Sequence, residues 1–236
     1  MKKSLLMVSF LITCYSASSQ IIISLLFGDA LNSEKVEFGL DGGVNFGNIN
    51  NLDPGKSLAL FNLGFYFDFK FSQQLMLHTG VLVKSNQGAN KLDPYVLNNP
   101  DLDSVFSDGY ITRKIANFSV PILVKYRFAT YFHVEAGPML ALRTKGYDIF
   151  KNTIVDKDDL NYKLDIRDNY KRIDAGIMVG TGFKISKIPK STQIGFRYYY
   201  GLIDPLIDNA GDNQNFSSFY IYVSIPIGVS SAAMEE

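Results

Sequence analysis

Between Phe61 and Phe71 the chain alternates without a break: Phe61, Leu63, Phe65, Phe67, Phe69 and Phe71 are apolar, and Asn62, Gly64, Tyr66, Asp68 and Lys70 stand between them. A period of two marks a strand whose two faces meet different surroundings. Val36 to Phe46 repeats it, with Val36, Phe38, Leu40, Val44 and Phe46 against Glu37, Gly39, Asp41, Gly43 and Asn45. Leu75 to Asn86 forms a third segment, and a fourth ends with Phe118, Val120, Ile122, Val124, Tyr126 and Phe128 opposed to Asn117, Ser119, Lys125 and Arg127. Pro121, which has no amide hydrogen for the ladder, predicts a bulge or local break there. Four more segments follow: Phe132 to Lys145, Arg172 to Ile185, Gln193 to Tyr200 and Phe219 to Ile227.

The links between these eight segments alternate in length. Ser72 to Gln74, Ala129 to Thr130 and Ser186 to Ser191 are short, whereas Asn48 to Ser57, Gln87 to Gly109, Tyr147 to Tyr170 and Ile203 to Asn215 are long and rich in Asn, Asp, Gly and Pro. An even strand number with short turns at one end and long loops at the other predicts an all-β chain, an eight-stranded antiparallel up-and-down transmembrane β-barrel. Its short turns would face the periplasm. The eleven residues from Phe61 to Phe71, at roughly 3.3 Å each and tilted about 40°, rise about 27 Å, close to the roughly 25 Å apolar band of such barrels.

Alternation does not by itself say which face points inward, so a soluble lipocalin-like ligand-binding barrel is the competing architecture. That arrangement would force the phenylalanines of eight strands into a cylinder that side chains of ordinary size already fill. It would also leave Gly39, Gly43, Gly64, Gly80, Gly137, Gly176, Gly180, Gly182 and Gly195 on an exposed sheet, where glycine only weakens a strand. With the apolar face outward, Phe61, Leu63, Phe65, Phe67 and Phe69 meet lipid. The lumen then holds a charge network of Glu37, Asp41, Asp68, Lys70, Lys84, Lys125, Arg127, Glu135, Arg143, Arg172, Asp174, Lys184 and Arg197, with the glycines making room for long charged neighbours.

Composition narrows the function classes. The 23 Lys plus Arg offset the 23 Asp plus Glu, so no basic field exists to hold nucleic acid. One Cys and two His exclude a disulfide framework and a histidine metal cage, and no cofactor or metal is expected. At the N-terminus Lys2 and Lys3, an apolar run from Leu5 to Cys14 and the small residues Ala17-Ser18-Ser19 read as a signal peptide over 1–19. Residues 20–34, containing the apolar run Ile21 to Leu31, then form a periplasmic segment, a short helix or plug; the barrel occupies 35–228 and a periplasmic tail 229–236. The protein is therefore expected in the outer membrane.

Val134-Glu135-Ala136-Gly137-Pro138, Asp174-Ala175-Gly176-Ile177 leading to Gly180-Thr181-Gly182-Phe183, and Arg197-Tyr198-Tyr199-Tyr200-Gly201-Leu202 resemble the PorT-like outer membrane β-barrel proteins of Bacteroidota, over roughly Val36 to Gly228. The resemblance implies an eight-stranded barrel of the cell envelope, related to a component of the type IX secretion and gliding apparatus, and carries no catalytic residues. The chain departs from the common aromatic ending of such barrels, running from Ile227-Gly228 to a tail.

Other candidate chemistry is sparse. His78 and His133 face the lumen but stand beside no nucleophile in sequence pattern, and Gly176 to Gly182 lacks the following helix of a phosphate loop. Asp156, Asp158 and Asp159 lack the glycine and terminal glutamate of a calcium loop. The expected function is thus non-enzymatic: a barrel in contact with outer-membrane lipid that binds or scaffolds a protein partner of the envelope, the alternative being a narrow passive channel.

Overall fold

Antiparallel pairing carries each strand into the next. β1 (Val36–Asn50) lies beside β2 (Lys56–Lys70), β2 beside β3 (Leu75–Leu92), β3 beside β4 (Tyr110–Arg127) and β4 beside β5 (Phe132–Thr153). β5 then forms a hairpin with β6 (Asp159–Asp165) and also pairs with β7 (Ile173–Lys184), which leads through β8 (Gln193–Gly201) and β9 (Asn215–Pro226) back to β1. The ring closes with eight strands, and β6 stands outside it. These features come from a computed structural model that describes residues 32–153, 159–188, 190–207 and 213–227. The expected signal peptide, most of the 20–34 segment, the tail, and Asp156 and Asp158 lie outside the described residues.

The alternation appears as exposure. Phe61 is 47% exposed and Phe65 38%, while Tyr66 and Asp68, on the other face of the strand, are each 1% exposed. Outward side chains form an apolar belt of the height expected from the sequence, reaching on β5 from Phe132 to Leu142 and on β4 from Tyr126 to Phe118, with Phe128 just past the end of β4. Near the short turns its rings touch one another: Phe128 on Phe132, 6.2 Å between centroids, and Phe132 on Phe183, also 6.2 Å. Pro121 produces no bulge. The registers Thr79↔Ile122 and Leu82↔Ser119 continue one ladder with an unpaired gap between, and Pro121 itself lies opposite Met139 of β5.

Three of the expected long loops are partly sheet. β5 alone has 22 residues, which at roughly 3.3 Å each and a tilt of about 40° climb about 55 Å, twice the apolar band. β3 runs on to Leu92 and β4 starts at Tyr110, so the ladder rises well above the belt. The first long loop shrinks to a turn over 51–55. Between β3 and β4 sits α1 (Pro100–Phe106), started by Pro100 and by the Asn99 side chain, which accepts from the amides of Asp101 and Leu102.

Above the belt the two faces exchange character. Ile49, Ala89, Leu92, Ile111, Ile115, Phe150 and Phe216 turn inward and pack with Phe106 of α1 and with Ile166 and Tyr170, forming a buried core that descends to Leu123, Met139, Met178 and Tyr199. With water outside instead of lipid, the apolar residues fill the inside, as in a soluble barrel.

Candidate functional site

Below that apolar core the lumen is ionic. Arg197 on β8, 1% exposed, is its centre: Nη1 donates to Asp41 Oδ2 at 2.6 Å, Nε to Glu135 Oε1 at 2.6 Å, and its guanidinium carbon lies 3.8 Å from the centroid of the Tyr222 ring. Asp41 also accepts from the hydroxyls of Tyr220 (2.8 Å) and Ser224 (3.4 Å), and Glu135 from Tyr222 (3.1 Å). A second unit surrounds Asp68, which takes Lys125 Nζ on Oδ2 at 2.8 Å and His78 Nδ1 on Oδ1 at 2.6 Å. Arg197 Nη2 lies 3.0 Å from His78 Nε2 and joins the two units. As the arginine only donates, the His78 proton sits on Nδ1, toward Asp68.

Of the expected network, then, Asp41, Glu135, Arg197, Asp68 and Lys125 are brought into direct ion pairs. Glu37 is buried but is held by neutral donors, the Tyr66 hydroxyl at 2.9 Å and Gln193 Nε2 at 3.3 Å. Lys184 is buried near the short-turn end, where Lys70 and Arg127 are half-buried. Asp174 accepts from the Tyr199 hydroxyl at 2.9 Å. Arg143 is buried but belongs to the apolar upper level, its guanidinium carbon 5.0 Å from the Tyr170 ring and 5.6 Å from the Phe216 ring.

Lys84 and Arg172 do not enter the lumen; both are exposed. The register of β3 against β4 slips between Leu82 and Ser85, so inward parity changes from even to odd numbers and Lys84 turns out over the Phe61 ring, 5.4 Å from its centroid. Arg172 precedes the first residue of β7, outside the alternation of that strand. A slip on β5 likewise puts Lys145 outside.

The glycines also serve different neighbours than expected. A Cβ at Gly39 would strike the Tyr66 ring, one at Gly176 the Tyr199 ring, and one at Gly195 the Tyr222 ring. Tyrosines thus lie across glycines of the adjoining strands, and among the described residues only Gly180 makes room for an arginine, Arg197. Their inward parity is visible in the sequence, but a phenol is amphipathic and parity alone does not distinguish it from an outward residue. Asp68→Asn removes the charge facing Lys125 and one acceptor for His78. It is expected to cost about 1.5 to 3 kcal/mol in urea unfolding of the detergent-solubilised barrel, and a cost no larger than that of an exposed Asp101→Asn change would contradict the pairing.

At the top, Arg113 clamps Asp148 through Nε (2.7 Å) and Nη2 (2.6 Å), and the Tyr95 hydroxyl donates to the same carboxylate at 3.0 Å. Burial and the Asp148 charge push the Tyr95 phenol above its ordinary value. This clamp ties the segment after β3 to β4 and β5; it lies in a region that reads as loop in sequence. Pro94 to Leu97, Asp103, Phe106, Ser107 and Phe150 line a cavity of about 250 Å³ beside it. Among the described residues no group of three His, Cys, Asp or Glu is placed to hold a metal.

A ring of eight strands with a greasy exterior and an ionic interior fits one kind of protein, and residues 27–206 match the family described as outer membrane protein beta-barrel domain. The chain belongs to this family. It is an outer-membrane β-barrel, located in the outer membrane and in contact with its lipid. No curated protein sequence matches this outer-membrane barrel. Among solved structures it is similar to Ail, the attachment invasion locus protein of Yersinia pestis, with 11% identity, a TM-score of 0.43, and coverage of 83% of this chain and 100% of that one. It is also similar to Neisserial surface protein A, at 12% identity and a TM-score of 0.40 over 80% of this chain and 96% of the other. The outer membrane protein AlkL, at 12% identity and a TM-score of 0.38, covers 84% and 94% respectively.

Proposed function

We propose that this outer-membrane barrel is a non-enzymatic scaffold whose raised outer end holds a protein of the cell envelope, within the PorT-like group that its strand motifs resemble. The observation that carries the reading is the double closure of the lumen. Ion pairs fill the lower half and an apolar core the upper, so the strands above the membrane support a solid surface and not a pore mouth. The enzyme alternative finds little support, because both nitrogens of His78 are engaged and His133 Nε2 is 3.1 Å from a Tyr222 hydroxyl already bound to Glu135. On the outer end Val96 is 71% exposed beside the Arg113–Asp148–Tyr95 clamp, an apolar side chain on a fixed backbone. The PorT-like resemblance directs the search toward secretion or gliding components.

A photoreactive residue at Val96 in intact cells is expected to give a discrete crosslinked product with one envelope protein, identified by mass spectrometry, and planar-bilayer recordings of the purified barrel are expected to be silent. Reproducible conductance steps together with no adduct would instead assign passive transport.

A further inference from the structure

At the short-turn end the lumen opens through a ring of cations. Lys70 closes β2, Arg127 closes β4 and Lys184 closes β7, all on inward parity, and Lys190 stands in the turn after β7. These groups lie close enough to act on one another. Lys184 is repelled by Arg127, Lys70 and Lys125, Lys190 is repelled by Lys70, and Glu37 attracts both.

The acids of this end are already engaged or turned away. Glu37 is buried and bonded by the Tyr66 hydroxyl and Gln193, the deeper Asp68 is taken by Lys125 and His78, and Glu34 stands exposed before β1. Among the described residues Lys70 has no ion pair, and the Arg127 guanidinium reaches only the Met76 sulfur, at 3.6 Å. Four cations thus crowd around one carboxylate. Lys70, Arg127 and Lys190 are half-buried, where repulsion is screened less than on an open surface. Facing inward, Lys70 and Arg127 are also turned from the lipid headgroups that flank the outside of the wall.

The chain itself carries an anion to this place. Ile227 donates its amide to the Phe38 carbonyl at 3.0 Å and accepts from Asn32 Nδ2 at 2.6 Å. Oδ1 of the same Asn32 accepts from Lys190 Nζ at 3.2 Å. Residues 228–236 therefore depart from the rim of the mouth, one side chain away from Lys190. Their only charges are those of Glu235 and Glu236. Such a stretch can span up to about 30 Å, ample for a lumen that eight strands make only just wide enough to fill. Because the acids are tethered beside their targets, their effective concentration is in the millimolar range, and a contact of modest strength suffices.

We infer that Glu235 and Glu236 dock in this mouth against Lys70, Arg127 and Lys190, so that the chain's own acidic end closes the lumen from the periplasmic side. The inference is independent of what the outer end of the barrel holds.

The test treats the protein, purified from outer membranes in an uncharged mild detergent, with a zero-length carbodiimide and maps the new amide bonds by peptide mass spectrometry. Links within one chain from Glu235 or Glu236 to Lys70 or Lys190 are expected. Their yield should fall about fivefold or more in Arg127→Gln, the loss of about one charge pair, and likewise in roughly 1 M salt, where screening acts within about 3 Å. Lys114→Gln at the outer end should leave it unchanged. The salt comparison uses the unaltered sequence and so reports even where Arg127→Gln does not fold. Absence of these links, their confinement to the exposed Lys35 or Lys187, links between different chains only, or coupling of Lys70 and Lys190 to Asp29 in their place would overturn the docking. A yield indifferent to both salt and Arg127→Gln would overturn it as well.

Discussion

Replacing Arg197 by methionine lowers the unfolding free energy of the barrel by about 3 to 5 kcal/mol, the largest single effect expected in the lumen. The side chain neutralises Asp41 and Glu135 together, on opposite sides of the barrel, and all three groups are nearly inaccessible to water. Methionine fills much of the volume but leaves two carboxylates facing each other with only tyrosine and serine hydroxyls as donors. The loss therefore comes from uncompensated charge more than from lost packing. Urea titration in micelles, followed by tryptophan-free near-ultraviolet signals of the tyrosines, measures it. Adding Asp41→Asn and Glu135→Gln to the same variant should restore most of the stability, because neutral amides can bond to one another; a triple variant as unstable as the single one would show that Arg197 acts by shape alone.

The second large effect belongs to the outer face. Phe65→Arg places a guanidinium near the middle of the apolar belt and is expected to cost about 2 to 4 kcal/mol, while Phe71→Arg at the short-turn edge costs about 0 to 1 kcal/mol. Both phenylalanines are exposed, at 38% and 69%, so in water the two changes would be equally mild. The difference measures depth in lipid. Equal costs in liposome-refolded protein would contradict the position assigned to the belt.

The membrane-embedded half was legible in the sequence because two immiscible surroundings enforce strict alternation there. Phe61 to Phe71 shows this most fully: no residue can be exchanged for its neighbour without putting charge into lipid or a phenyl ring into a crowded lumen. Counting such segments was enough to give the eight strands and their order. The upper half was not legible for two physical reasons. Above the belt, water replaces lipid, and Ile111, Ile115 and Phe150 become inward residues, so the period persists with its meaning reversed. At bulges near Leu82 and Thr144 one extra residue changes parity, which turns Lys84 outward although it was counted into the lumen, and turns Lys145 outward as well. The Asn- and Gly-rich composition of Gln87 to Gly109 then read as loop, while Gly88, at φ 158, is strand close against the Arg113 carbonyl. Arg197 was recognised as a lumen residue, but its partners could not be chosen by sequence, because pairs such as Asp41 and Arg197 meet across the barrel and not along a ladder.

β6 has a consequence for how these molecules crowd together. It pairs with β5 on one side, and among the described residues no strand meets its other edge. An open strand edge above a bilayer invites the same hairpin of an adjacent molecule to add on, and a dense array would then stitch itself into fibres. Lys163, folded over the Tyr147 ring at 3.5 Å, and the acidic end at Asp165 put opposite charges on a strand of only seven residues, too short and too polar for such growth. Growth from copy to copy along this edge is thereby disfavoured.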